Sequence, residues 1–525
     1  MAVQLQFCVR HWMENVIHPH TSILKRGLRV SLVLMLGLSS QGYASEPLAQ
    51  QYLRDSRQLE QQHQFYDSAR YAYAAAQEDP SVQSQAYAQM ALGLIQAGLP
   101  HAGSYFFLRT LQVGDSTAIR AVLTQTQNLL EVVGPDLLRK YLIRHTQYAD
   151  YDLENRSAYL YALAKDALLN QDPGRAVQYV DGMTQNSLSW PFALFLRGAA
   201  HSILGKNEEA LRDFQNCVLS SSRVSQKSLR YDLRDRCLAG RARTFYQMEQ
   251  FEQADLAYGQ VQKRSNLWPD LLFEQAWNSF AREEYNRALG KLVSYKSPAL
   301  SFVFNPEIDV LRAQSFLALC LYADVNQGVN EFNARYAQVG EQVKAFVEKN
   351  ADHLNVFYEF GKSALRDPLS TQNQMHQFSF RFIRSPYFQN LVASESQMRS
   401  EKNLILRLDQ KKSVDRSGFA GFLNEVLQWR LSSVELLGGA FVKNSLMDYH
   451  ADLIDSFEKM SFIQLEMLKR SKQKVLSQSL EPQERQRGQR VPERLDYQYR
   501  WGFNGEFWDD ELGDYVFGLE SECQN

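Results

Sequence analysis

The stretch DRCLAGRARTFYQMEQFEQADLAYGQV (235–261) carries the pattern that decides the fold of this chain. Two small residues, Ala242 and Ala254, stand twelve positions apart, and aromatic or large apolar residues follow each of them. Thirty-four residues later, LLFEQAWNSFAREEYNRALGKL (271–292) repeats the arrangement with alanines at the same two places. Self-similarity at a fixed spacing of this size indicates stacked supersecondary units, none of which buries its apolar face alone.

Further copies extend the pattern in both directions along the chain. Gly198 and Ala210 hold the two small positions of the preceding copy. Additional matches are Ala69, Ala91, Gly103, Ala164, Ala176 and Ala313. Two antiparallel helices in 34 residues, with small residues where they cross, are typical of the tetratricopeptide repeat (TPR). The sequence therefore predicts an all-α fold whose TPR helix-turn-helix solenoid spans residues 45–340, with a degenerate pair at residues 115–147.

The repeat register breaks once, between Cys217 and Cys237, where about ten extra Ser-rich residues predict a loop. Such a loop could bring the two cysteines together. A bridge closing ~20 residues would contribute about 3 kcal/mol in the chain-entropy model. Two small buried thiols on packing faces fit the pattern equally well, so the pairing stays open.

The first helices of a TPR solenoid line a concave groove, which we expect to bind partners here. Projecting the repeat onto the sequence assigns to this groove Phe192, Phe195, Arg236, Arg243, Tyr246, Phe273, Trp277 and Phe280. Aromatic and Arg side chains are frequent energetic anchors of interfaces, so an extended or helical peptide of acidic character is expected. The alternative is that the C-terminal segment folds back into the groove, or that the aromatics pack between superhelical turns.

The 34-residue period is lost after about residue 340, and residues 341–480 are expected to form a long helical hairpin resembling a coiled coil. Apolar residues recur at steps of three and four over residues 445–480, which predicts a long amphipathic helix. An earlier helix around residues 387–436 would complete the hairpin. We interpret the apolar stripe as core.

Residues 481–525 divide into a charged linker and an aromatic tail. The linker, EPQERQRGQRVPER, ends at residue 494. The tail carries Trp501, Phe507, Trp508 and Tyr515, which cannot all face water. We therefore expect it to dock, either on its own solenoid or on a partner.

The N-terminal residues 1–44 have the order of a secretory signal peptide. Basic residues precede a short apolar run at 30–38, and Gly42 and Ala44 supply the small residues of a cleavage site. This pattern predicts a periplasmic mature chain with no transmembrane span, in which disulfides are permitted. An uncleaved anchor is the alternative.

Charge and motif content argue against several other functions. The 57 basic and 59 acidic residues give a net charge of −2, without the basic excess of a nucleic-acid binder. The sequence contains no HExxH, GxSxG, phosphate-binding loop or GxGxxG motif, and no CxxC pair. We therefore expect no enzymatic activity, no cofactor, no metal site and no nucleic-acid partner.

Two segments resemble a known family. NLWPDLLFEQAWNSFAREEYNRALGKL, with FNPEIDVLRAQSFLALCLYAD after it, is similar to the TPR core of the adventurous gliding-motility family. WGFNGEFWDDELGDYVFGLESEC resembles the tryptophan- and glycine-rich ending of that group. The likeness covers residues 230–340 and 495–523. It implies a periplasmic or outer-membrane-associated scaffold in a multi-protein envelope machine, although this sequence lacks the lipid-attachment cysteine of some members.

We therefore expect a non-enzymatic scaffold that binds protein partners in the cell envelope. The alternatives are an envelope enzyme or enzyme activator acting through residues 340–525, and an outer-membrane assembly accessory factor. Clustered buried carboxylates or histidines in the C-terminal region would favour an enzyme.

Overall fold

The computed structural model describes residues 47–300, 302–367, 378–410, 418–477, 494–502 and 506–523. The predicted signal peptide and nearly all of the predicted linker lie outside these residues. Helices dominate the described chain, and consecutive helices pack along one another in pairs. The prediction of an all-α chain of TPR-type helix-turn-helix repeats is confirmed. None of the described helices is long and apolar enough to cross a membrane.

The N-terminal helices cover the chain as far as Asp181. They are α1 (Leu48–Gln61), α2 (Phe65–Glu78), α3 (Gln83–Gln96), α4 (Pro100–Val113), α5 (Ser116–Leu123), α6 (Thr126–Val132), α7 (Pro135–His145), α8 (Arg156–Leu169) and α9 (Pro173–Asp181). Residues 115–147 were expected to hold a degenerate pair, but they form the three short helices α5 to α7. Gly134, with φ of 91°, separates α6 from α7 within this segment.

The middle helices continue the pairs. They are α10 (Trp190–Ile203), α11 (Asn207–Ser220), α12 (Lys227–Gln247), α13 (Phe251–Tyr258), α14 (Trp268–Ala281), α15 (Tyr285–Val293), α16 (Glu307–Ala318) and α17 (Tyr322–Lys349). The Ser-rich insertion was predicted to be a loop, but only residues 221–226 lie between α11 and α12, and the first three of them form a 3-10 turn. The remainder lengthens α12 to 21 residues, since residues 227–236 contain no proline or glycine that would end a helix.

A left-handed residue marks the turn inside each pair. Positive φ angles occur at His63, Gly98, Gln171, Gly205, Glu249, Glu283 and Cys320. The turns at Gln171 and Gly205, and those at Glu249 and Glu283, are 34 residues apart. A backbone hydrogen bond of 2.9 Å from Gln250 N–H to the Phe245 carbonyl closes one such turn, as in helices that end on a left-handed residue. The turn geometry therefore repeats with the sequence period.

The small residues of the repeat are buried where helices cross. Ala164, Ala176, Ala210, Ala242, Ala254, Ala276 and Ala288 are all fully buried. Helices cross too closely at these points for a larger side chain, and inserting one into a packed core typically costs about 1–3 kcal/mol. This constraint explains why the pattern keeps its phase along the chain.

The C-terminal helices are α18 (Leu354–Arg366), α19 (Phe380–Ile383), α20 (Pro386–Gln410) and α21 (Phe419–Ser477). The predicted helix start near residue 445 is wrong, because α21 begins at Phe419. Gly438 and Gly439 interrupt the apolar pattern, yet both lie inside the helix. A Cβ on Gly439 would stand 2.0 Å from the Leu354 carbonyl oxygen, so glycine is required there for close packing rather than for a break.

The chain forms two compact units. Of the described residues, the first contains those up to Ala200 and those from Asn390 to Val434, and the second contains those from His201 to Gln389 and those from Glu435 onwards. These units group segments by packing, whereas the predicted domain boundaries at residues 340 and 480 divide the chain by sequence pattern.

Within the first unit, the C-terminal helices pack on the N-terminal repeats through aromatic rings. The Phe419 ring lies 5.6 Å from Tyr66 and 5.2 Å from Tyr73, centroid to centroid. Phe422 lies 6.0 Å from Phe106. Sequence-distant helices therefore share one core with the first repeats.

Within the second unit, one face of α21 is buried. Its buried residues include Leu446, Tyr449, Leu453, Met460, Ile463 and Met467. Phe457 packs edge-to-face on Phe332 at 4.9 Å. The interpretation of this stripe as core is confirmed. Two short parallel strands, β1 (Tyr499–Arg500) and β2 (Tyr515–Val516), pair within the tail.

Candidate partner-binding surfaces

An aromatic row runs along α14 in the predicted groove. Phe273 is buried, whereas Trp277 and Phe280 are half-buried. The Trp277 ring lies edge-to-face against Phe273 at 6.4 Å and against Phe280 at 5.6 Å. Phe280 in turn contacts Tyr285 at 5.3 Å. The structure thus brings together three of the predicted groove aromatics.

The inner side of this row is part of a core. Phe273 packs with Ala276, Leu292 and Leu311, and Trp277 and Phe280 lie against the edge of that cluster. One side of each outer ring is therefore fixed by packing while part of its surface stays accessible. Of the other predicted aromatics, Phe195 is buried, and Phe192 and Tyr246 are half-buried.

The C-terminal segment reaches the first turn of α14, where Arg384 forms an ion pair with Asp270. This contact corresponds in part to the alternative that the C-terminal segment folds back on the groove. The ring contacts of Trp277 and Phe280, further along α14, are with residues of α14 and α15. The self-packing is thus found at one end of the row.

Both predicted groove arginines pair with carboxylates of the same chain. Arg236 binds Asp232 through two hydrogen bonds of 2.7 and 3.2 Å. Arg243 binds Glu274 through two of 2.9 and 2.7 Å, which join α12 to α14. Bidentate ion pairs of this kind satisfy the hydrogen bonding of both side chains. The sequence alone did not predict these pairs, and an acidic peptide would need a different cation.

Such a cation lies in a shallow cleft, open to solvent, between α11 and α12. The cleft has a volume of about 550 Å³ and is lined by Glu208, Leu211, Arg212, Gln215, Asn216, Arg241 and Phe245. Arg241 Nη1 donates to Gln215 Oε1 at 2.9 Å, and its guanidinium carbon lies 5.5 Å from the centroid of the Phe245 ring. Among the described residues, no carboxylate forms an ion pair with Arg241.

Sequence reasoning missed Arg241 because the repeat template does not place it among the groove positions. The Arg241 guanidinium is nevertheless held in place by the Gln215 amide and the face of the Phe245 ring, and it has further N–H donors that can bind a ligand. The cleft can therefore accept a carboxylate without first breaking an internal ion pair.

A disulfide joins Cys217 to Cys237, with 6.0 Å between their Cα atoms. Both residues are fully buried. The choice that the sequence left open is thus resolved in favour of the bridge. It links the end of α11 to α12 beside the cleft, since Cys217 directly follows Asn216.

A second disulfide, which the sequence analysis did not pair, joins Cys320 to Cys523 across 203 residues. The even number of cysteines after the predicted signal peptide was the signal that could have suggested it. This bridge ties the end of the aromatic tail to the turn between α16 and α17.

The tail packs on its own repeats. Trp501 lies 5.0 Å from Phe507 and 4.9 Å from Tyr515, and these rings join a cluster with Trp268 and Leu272 of α14. Of the alternatives for docking, the structure shows the tail on its own solenoid. Trp508 is the exception within the predicted set, because it is 60% exposed. Phe503 lies outside the described residues.

Polar contacts fix the position of the tail. The Asn286 side chain donates to the Leu519 carbonyl and accepts from the Leu519 N–H, both at 3.0 Å. Ser294 Oγ accepts from the Gly513 N–H at 2.8 Å. A Cβ on Gly290 would stand 1.9 Å from the Tyr515 carbonyl oxygen. The close approach of tail and α15 therefore requires glycine at position 290.

The first unit contains a buried ionisable cluster. Glu401 accepts hydrogen bonds from the backbone N–H groups of His101 and Ala102, at 2.8 and 3.0 Å, at the start of α4. Burial raises the pKa of Glu401 to about 7 and lowers the pKa of Arg430 to about 10. It lowers the pKa of His101 to about 4, against the opposing effect of the hydrogen bond that His101 Nε2 donates to Gln397 Oε1.

This cluster caps the N-terminal end of α4. Glu401, Arg430 and His101 are all buried, and the carboxylate occupies the anion position that a helix N-terminus favours. Glu401 and Arg430 belong to the C-terminal region but His101 does not, so the cluster meets only in part the criterion of clustered buried carboxylates or histidines that would favour an enzyme. Among the described residues, no three His, Cys, Asp or Glu side chains are placed to hold a metal ion.

One solved structure similar to this chain is the crystal structure of the P58(IPK) TPR domain. The match covers 74% of this chain and 98% of that chain, at 14% sequence identity and a TM-score of 0.19. With so low a TM-score, the helix pairs and turns described above establish the repeat fold, rather than the superposition. No protein-family model matches the sequence, and no curated protein matches it.

Proposed function

We propose that this chain is a non-enzymatic scaffold that binds a protein partner on the first helices of its repeats. The observation that carries the proposal is the aromatic row on α14. Trp277 and Phe280 are fixed on one side by the cluster around Phe273 and remain partly accessible on the other. Pre-ordered aromatic side chains lose little conformational entropy when a partner covers them, which favours their use as binding anchors.

The chemistry of the cleft supports an acidic partner segment. Arg241 has no carboxylate partner among the described residues, whereas Arg236 and Arg243 do. A carboxylate entering the cleft would gain a charge-assisted hydrogen bond while its neighbouring side chain contacts Leu211 or Phe245. We therefore assign the recognition of acidic residues in the partner to Arg241.

A cell-envelope location is part of the proposal. The order of charged, apolar and small residues in 1–44 supports export. The bridges Cys217–Cys237 and Cys320–Cys523 also support it, because disulfides persist in the periplasm and outside the cell but not in a reducing cytosol. The resemblance to the gliding-motility family supports a role in a multi-protein envelope machine of that kind.

The test is a crosslinked pull-down of the periplasmically expressed mature chain, followed by mass spectrometry. Trp277→Ala with Phe280→Ala should abolish capture of the components that the unaltered chain recovers. Trp508→Ala is the matched control, since it removes an exposed aromatic residue from the tail and should leave capture unchanged.

Thermal unfolding separates loss of binding from loss of fold. Phe273→Ala removes a buried side chain and should lower the free energy of unfolding by about 3 kcal/mol or more. The Trp277 and Phe280 changes should leave both the helical circular dichroism and the thermal unfolding almost unchanged. Capture at the original level by the doubly substituted chain would contradict the proposal. A large melting loss in that chain would show that these residues serve the core instead.

A further inference from the structure

Helix α21 carries a second apolar face in the second unit, opposite its buried one. Six large apolar residues there are more than half exposed: Leu436 (56%), Met447 (51%), Ile454 (56%), Phe462 (62%), Leu465 (62%) and Leu468 (54%). Single exposed apolar side chains need no explanation, but several of them on one face of one helix are typical of an interaction surface.

Four of these residues lie on one line along the helix. Leu436, Met447, Ile454 and Leu465 are separated by 11, 7 and 11 residues. With 3.6 residues per turn, steps of 7 and 11 deviate from whole turns by about 20° in opposite directions, so the deviations cancel. The row therefore stays on one face for roughly 44 Å, at 1.5 Å per residue.

The row is symmetric about its midpoint between His450 and Ala451. When a second copy of the helix is laid antiparallel about this point, Leu436 comes opposite Leu465, and Met447 comes opposite Ile454. A two-fold axis produces each of these contacts twice, as in an isologous dimer. The same surface is thus complementary to itself.

Charge favours this antiparallel arrangement. At the same alignment, Lys443 of one copy comes opposite Glu458 of the other. A parallel arrangement would place Lys443 against Lys443 and Glu458 against Glu458. Glu458 is exposed and has no ion-pair partner among the described residues. Lys443 donates to the Ala351 carbonyl at 2.7 Å on an exposed surface, so its amine can exchange this acceptor for the Glu458 carboxylate of a second copy.

We propose that the exposed face of α21 binds a second copy of this chain in an antiparallel two-fold dimer. Its core is formed by Leu436, Met447, Ile454 and Leu465, and Lys443–Glu458 pairs set the orientation. The proposal goes beyond partner binding on α14 and does not depend on it. A dimer would present two partner-binding rows in one assembly.

Sedimentation equilibrium of the mature chain with its disulfides intact is the first test. The unaltered chain should sediment as a dimer at micromolar concentrations. Ile454→Asp should sediment as a monomer with unchanged helical circular dichroism, because the residue is exposed in the single chain. A chain that stays monomeric up to about 100 μM would overturn the proposal and leave partner binding on α14 untouched.

Charge exchange tests the orientation. Lys443→Glu and Glu458→Lys should each weaken dimerisation, by on the order of tenfold, because either change creates two like-charge contacts per dimer. The double variant should recover the original dimerisation, and an equimolar mixture of the two single variants should form heterodimers. If the single variants dimerise as the unaltered chain does, the antiparallel dimer is wrong.

Discussion

Glu401 accepts a hydrogen bond of 2.8 Å from the backbone N–H of His101, which closes the first turn of α4 from a helix 300 residues away. Burial raises the pKa of the Glu401 side chain and lowers the pKa of the His101 side chain. The two shifts therefore make the free energy of unfolding depend on pH in opposite directions. The pair therefore makes a specific prediction about pH.

The pKa of Glu401 rises from 4.5 to about 7 on folding, so the folded state holds its proton longer than the unfolded state. Its contribution to stability is complete below pH 4.5 and is lost as pH rises through 7. The pKa of His101 falls from 6.5 to about 4, so its contribution is complete above pH 6.5 and is lost as pH falls through 4. Between pH 4.5 and 6.5 the two slopes cancel.

Glu401→Gln should therefore reveal the His101 slope alone. Its free energy of unfolding, measured with urea from pH 4 to 8, should fall as pH falls below 6.5. His101→Gln should show the opposite slope. Its free energy of unfolding should fall by on the order of 3 kcal/mol as the pH rises from 4.5 to 7. Identical pH profiles for the two variants would show that the pair does not titrate in this way.

Gly290→Ala should dislodge the tail from α15. The added Cβ would collide with the Tyr515 carbonyl oxygen, which is backbone and cannot rotate aside. We expect increased binding of the dye ANS and altered tryptophan fluorescence, as for deletion of residues 496–525. Gly328→Ala is the matched control, because a Cβ at that helical glycine meets no atom within 4 Å. Equal ANS binding by the two variants would mean that the tail tolerates the side chain.

Removing the Cys320–Cys523 bridge should release the end of the tail. The bond closes 203 residues, and the chain-entropy model gives about 5 kcal/mol for a loop of that size. Replacing both cysteines with serine should therefore lower the melting temperature and expose the tail to limited proteolysis. The corresponding change at Cys217 and Cys237 should lower the melting temperature while the tail stays protected. Protection of the tail in both variants would show that its polar contacts suffice.

Arg241 and Arg243 should respond oppositely to substitution. Arg243→Gln leaves the half-buried Glu274 without its ion-pair partner, with only the Tyr258 hydroxyl still donating to it at 3.0 Å, and we expect a loss of about 1–3 kcal/mol in thermal or urea unfolding. Arg241→Gln breaks no ion pair and removes only the hydrogen bond to Gln215 and the contact with Phe245, so the fold should lose about 1 kcal/mol or less while capture of acidic partner segments is lost. Undiminished capture by this variant would remove the cleft from the binding surface.

The sequence determined the repeat fold because its constraint is local. Ala242 and Ala254 mark a crossing between two helices that are joined by one turn, and the same geometry recurs at Ala276 and Ala288. A fixed spacing of small residues therefore suffices to identify the helix pairs. The need of the tail to dock was also evident, since its aromatic residues are too many to remain in water.

Tertiary structure decided which side chains remain available for binding. Arg243 was a sound candidate by its repeat position, but Glu274 on the next helix pair neutralises it. The pairing of Cys320 with Cys523 and the docking of the tail beside Gly290 join residues more than 200 positions apart. Contacts over such separations depend on how the helix pairs stack. A repeat pattern with one period of 34 residues contains no information about that stacking.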